Sequence, residues 1–162
     1  MEYLNDNRII YRRNPVNDLP SQVFEWGKFY EHGTHECYEL FRSKAKINTF
    51  RSLKWHLLVL LYLNPDLYEN GFETLCKHIT YKPNNFITFE ISEDVLSNII
   101  NNIYKIDLER PPNNKLRKII FKDITGLSKS EKLSIVGKLI GRSKIATKEN
   151  IYECMNAIHD MH

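Results

Sequence analysis

Histidine and cysteine gather at two places, His32, His35 and Cys37 in one and Cys76 and His78 in the other. Metal binding is therefore the first chemistry to weigh. Zinc takes four nitrogen or sulfur ligands, commonly as two close pairs. The spacings His-x-x-His and Cys-x-His do not match a familiar finger, and Gly33 breaks the first group. Cys154, His159 and His162 form a weaker set. No structural metal and no cofactor is expected.

Covalent and acid–base chemistry have as little to work with. A reactive cysteine needs a base and an orienting group beside it. Cys76 and Cys154 fall on apolar stripes, where cysteine serves as a small buried hydrophobe. The carboxylate pairs Glu36/Glu39 and Glu93/Asp94 suit a solvated helix face and a helix start. Gly137-Lys138 resembles the end of a phosphate loop, but Lys132 stands where that loop needs glycine and Leu139 where it needs Ser or Thr. No Gly-x-Gly-x-x-Gly occurs. The chain reads as a protein that is not an enzyme.

Charge is the one feature with direction. The formal net charge is +3, yet residues 111–150 hold ten basic and three acidic side chains, whereas residues 65–110 hold four and eight. Lys115, Arg117, Lys118, Lys122, Lys129, Lys132, Arg142, Lys144 and Lys148 are the candidate nucleic-acid-binding residues of that basic window. A helix over 129–140, a turn over 141–146 and a helix from 148 outline a helix-turn-helix, with basic residues where a recognition helix meets DNA. The six-residue connection exceeds the usual three or four, and Glu149, Glu153 and Asp160 are poor company for phosphates.

The elements that must position these groups follow from periodicity. Arg51–Leu63 is apolar without a polar face from Leu57 on, as a fully buried core helix is. Thirteen residues at about 1.5 Å each are too few to span a bilayer, so no membrane association is expected. Around it the pattern predicts seven or eight helices: one capped by Ser21 and carrying Val23, Phe24, Trp26, Phe29 and Tyr30, a second capped by Thr34, others over 68–79 and from Ser92, and a capping box at Ser128–Glu131. Gly141 ends the helix that follows the box, and the last helix shows Ile151, Cys154, Met155 and Ile158. Phe86–Ile91 alternates as a strand without an obvious partner, and Arg8–Arg13 is a short extended arm.

The expected fold is mainly α, a multi-helix globular domain around a central buried helix with at most a short two-stranded β element. Residues 1–110 are expected to form a helical body, and residues 111–162 a basic helix-turn-helix-like module set off by the linker Arg110–Asn114, the alternative being one continuous domain. Nineteen aromatics can fill a core of that size. Three widely spaced cysteines make no disulfide framework, and the N-terminus shows no signal peptide, so an intracellular, cytoplasmic protein is expected. His162 follows the last helix without a stop signal, as in a truncated chain or an N-terminal domain. The function expected is a nucleic-acid-binding accessory protein, of viral (phage) or mobile-element replication or transcription. The alternative is a non-enzymatic interaction module that docks an acidic protein partner.

Overall fold

The computed structural model describes residues 1–42 and 46–159, residues 143, 146, 147 and 150–159 by their backbone only. The chain divides into two compact units, one of residues 1–19 and 34–116, the other of residues 20–33 and 117–162.

The first unit is organised by α2, Phe50–Leu63, whose Leu53, Leu57, Val59, Leu60, Leu61 and Leu63 are buried. Thr49 opens it by accepting a hydrogen bond from the Ser52 amide at 3.1 Å, which satisfies one of the unpaired amides of a first helical turn. Asn64-Pro65 closes it, since the residue before proline is pushed away from the helical region. The short α1, Glu2–Asp6, buries Leu4, and α3, Phe72–Thr80, buries Phe72, Leu75, Cys76 and Ile79. In α4, Glu93–Tyr104, Ser92 caps the first turn and Leu96, Ile100 and Ile103 face the same core. Two strands complete the unit, β1 (Arg12–Arg13) antiparallel to β4 (Tyr38–Glu39), with Arg12 opposite Glu39.

Residues 112–114, read above as part of a linker, are fastened to this unit. The Tyr38 hydroxyl donates to the Pro112 carbonyl, Trp55 Nε1 donates to the Asn113 carbonyl at 2.6 Å, and Asn114 Nδ2 donates to the Cys37 carbonyl.

The second unit joins a hairpin to a later strand and a long helix. β2 (Gln22–Phe24) pairs antiparallel with β3 (Gly27–Thr34), Phe24 opposite Gly27, so Glu25 and Trp26 form a two-residue turn. β5 (Arg117–Phe121) lies along the other side of β3. Position 27 must be glycine, because a Cβ there would stand 2.2 Å from the Ile120 carbonyl oxygen. α5 then runs unbroken from Lys129 to His159, 31 residues or about 46 Å at the helical rise.

The mainly α expectation is therefore corrected: two antiparallel sheets, of two and three strands, stand beside five helices among the described residues. Residues 21–30 satisfy a helical stripe by their apolar types, but they pair as a hairpin, and Ser21 donates its amide to the Phe29 carbonyl instead of capping. Short apolar runs rich in Val, Phe and Tyr fit either period, and cross-strand packing decides. Thr34 likewise opens no helix; its hydroxyl accepts from the Glu36 amide, and Tyr38 enters β4. Among the described residues Phe86–Ile91 forms no ladder, only one parallel bridge from Ile87 to Ile47. The helix-turn-helix outline is overturned as well, since residues 141–146 are helical. A lone glycine costs a helix only about 1 kcal/mol, and Gly137 and Gly141 are both absorbed within α5. The stripe Ile151, Cys154, Met155 and Ile158 and the set Cys154, His159 and His162 lie outside the residues whose side chains are described.

Candidate nucleic-acid interface

The two units differ in charge. The first holds thirteen basic and thirteen acidic side chains, the second ten and seven, so the whole formal excess of +3 belongs to the second. Of the nine candidate residues, Lys115 falls in the first unit and the other eight in the second.

The capping box forms as its sequence requires. Ser128 donates its amide to Glu131 Oε2 at 2.6 Å, and the Glu131 amide donates to Ser128 Oγ at 3.2 Å. These hydrogen bonds hold the Glu131 carboxyl below its ordinary range, the backbone bond most strongly. The box fixes the start of α5, and with it the approach of Lys132 to β5.

That approach builds a cluster which the sequence did not announce. Phe24 and Trp26 stack with ring centroids 4.7 Å apart, Phe121 meets Trp26 at 5.2 Å, and Lys132 Nζ lies 5.4 Å from the Phe121 centroid. A cation over an aromatic face is attracted by the ring quadrupole. The Lys122 amide donates to the Trp26 carbonyl at 2.9 Å, which ties the end of β5 to the hairpin turn. All three rings are half-buried, and Lys28 and Lys122 are exposed. Phe24 and Trp26 escaped notice because a helical stripe accounted for them. The signal that could have found them is a Glu-Trp pair followed by glycine between two β-prone triplets.

Along α5 the remaining cations do not form one stripe. Lys138 and Arg142 are four residues apart on one line of the helix, Lys144 and Lys148 on another, and the two lines are roughly 120° apart around the axis. Lys129, Lys138, Arg142, Lys144 and Lys148 are exposed; Arg117, Lys118 and Lys132 are half-buried. The fold thus gathers Lys122 and Lys132 with the aromatic cluster, leaves Arg117 and Lys118 on β5 and Lys115 in the first unit, and winds Lys129, Arg142, Lys144 and Lys148 around the helix.

The alternatives weighed on residue types have these settings. Among the described residues no group of three His, Cys, Asp or Glu is placed to hold a metal ion. Cys76 is fully buried, and burial pushes its thiol well above the ordinary range, so it offers no thiolate at neutral pH. His78 stacks on Tyr3 at 3.7 Å, and His35 Nδ1 donates to the Asn114 carbonyl at 2.7 Å. No helix among the described residues is long and apolar enough to cross a membrane. Comparison of the chain with family models, with curated proteins and with solved structures gives no match in any of the three.

Proposed function

We propose that the second unit binds nucleic acid, mainly through phosphate contacts from Lys122, Lys129, Lys132, Arg142, Lys144 and Lys148. The observation that carries this reading is the partition of charge: the first unit is formally neutral and the second holds the entire formal excess. Interleaving of half-buried aromatics with that charge supports it, because basic surface that also offers aromatic rings is the make-up of sequence-tolerant nucleic-acid sites. Each phosphate neutralised on duplex DNA contributes about −0.9 to the slope of log K against log salt. Binding of labelled duplex and single-stranded oligonucleotides to the full chain, titrated over salt, is the test. Replacing Arg142, Lys144 and Lys148 with alanine flattens the slope by up to about 3 on this reading. The same change at Arg8, Arg51 and Lys77, exposed on the neutral unit, leaves it nearly unaltered.

The winding of the cations around α5 favours a second reading, an interaction module whose helix is gripped by an acidic protein partner. Excess generic DNA separates the two, since it displaces a nucleic-acid ligand and leaves a protein partner in place.

A further inference from the structure

The first unit carries a groove of opposite character, independent of the basic unit. It opens between the turn Pro65–Tyr68 that follows α2 and the segment that follows α4, with a volume of about 680 Å³. Tyr68 and Tyr104 form its aromatic wall, edge to face with centroids 5.0 Å apart, and Ile106 adds apolar surface. Tyr68 is 52% exposed and Ile106 38%, so this surface is open to a ligand. Asp66, Glu69 and Asp107 line the same groove, and no basic residue does; Lys105 adjoins Tyr104 in sequence but is not part of the lining. Among the described residues none of the three carboxylates has an ion-pair partner.

Three uncompensated carboxylates beside two tyrosine rings repel phosphate and favour a cation that has an apolar stem. Arginine and lysine side chains have that form: a charged head for the carboxylates, and methylenes or a guanidinium plane for the rings. We propose that this groove docks a basic segment of a partner protein, seating an arginine or lysine side chain against Tyr68 and Tyr104 with its charge held by Asp66, Glu69 and Asp107. The choice of occupant rests on charge complementarity. The groove is lined by acidic and aromatic groups, and its size suits a side chain with its flanking backbone.

The test uses the full chain and a fluorescein-labelled nona-arginine peptide, read by anisotropy at about 0.15 M salt, where charges more than about 8 Å apart are screened. Asp66→Asn/Glu69→Gln removes two charges with little change of shape, and Tyr68→Leu removes the ring while keeping an apolar side chain. Each is expected to weaken the probe about tenfold. Glu25→Gln/Glu31→Gln, which removes two exposed charges from the second unit, is expected to change affinity less than twofold. Thermal melting of every variant keeps loss of fold apart from loss of binding. Unchanged affinity in the folded groove variants overturns the proposal, as does equal weakening by the control pair. Sedimentation of the chain alone decides the source of the basic segment. A self-associated form that the groove variants abolish means that a second copy occupies the groove, and the partner reading falls.

Discussion

The side-chain amide of Asn64 clasps the backbone of Ile10 in both directions: Oδ1 accepts from the Ile10 amide at 2.8 Å, and Nδ2 donates to the Ile10 carbonyl at 2.8 Å. Nδ2 also reaches the Leu60 carbonyl at 2.8 Å, so one residue caps α2 and holds the N-terminal arm against it. Asn64→Asp keeps the acceptor and loses both donors. Asn64→Ala loses all three bonds. We expect about 1–3 kcal/mol of destabilisation for Ala and at least as much for Asp at neutral pH, where a carboxylate oxygen faces the Ile10 and Leu60 carbonyls at the C-terminal end of α2, read by urea unfolding. Equal midpoints for wild type and Asn64→Ala would show that water replaces the clasp without cost.

Burial of α2 sets a second expectation. Leu60 and Leu61 are fully enclosed, and truncating either to alanine should cost about 2–5 kcal/mol, the range for a cavity left in a packed core. A melting temperature within a degree of wild type for both would contradict the packing described.

Gly27 offers a test of the second unit. Gly27→Ala drives a methyl group into the Ile120 carbonyl, backbone against backbone, where no flexible side chain can yield. We expect about 1–3 kcal/mol of local destabilisation, the usual cost of overpacking. Hydrogen exchange should quicken in β2, β3 and β5 and stay as in wild type in α2.

Acid should weaken the first unit through His56. Its Nδ1 donates to the Ser52 carbonyl at 2.7 Å, and it packs beside Trp55 and Phe41. Burial lowers its pKa most, and the Ser52 hydrogen bond opposes this only in part. The unfolded chain therefore takes up the proton first, near pH 6.5, and stability is lost as pH falls through that value toward the lower folded pKa. One such group gives at most about 1.4 kcal/mol per pH unit. His78, also lowered, by burial and then by the N-terminal amine, adds in the same direction. Denaturant titrations between pH 5 and pH 7.5 should show a shallower slope for His56→Leu; an unaltered slope would remove His56 from the account.

How much of this was legible depended on the range of the forces involved. α2, α4 and the Ser128–Glu131 box were readable because caps and apolar spacing act within a few residues, and each stands where its sequence puts it. The hairpin at 22–34 was not. Val23, Phe24, Phe29 and Tyr30 fit a helical stripe as well as a hairpin, and the strand that flanks β3 on its far side, β5, is about ninety positions away. β5 was hidden for the same reason, since Arg-Lys-Ile-Ile-Phe has neither clean period. The concentration of charge could be counted from composition. Its distribution could not, because Gly141 looked like a stop and the unbroken helix turns Lys144 and Lys148 away from Lys138 and Arg142.

The hairpin leaves the first unit after Leu19 and the chain rejoins it at Thr34, while the strand that flanks β3 on its other side begins only at Arg117. During synthesis the first unit thus holds all its segments once residue 116 has emerged, whereas β2 and β3 wait with one ladder edge open for more than eighty residues. A stalled ribosome-bound chain ending between these points carries an unpaired edge strand, the kind of surface on which nascent chains aggregate or recruit chaperones. Protease sensitivity of the hairpin in stalled chains of increasing length should therefore persist until β5 is exposed and then fall sharply.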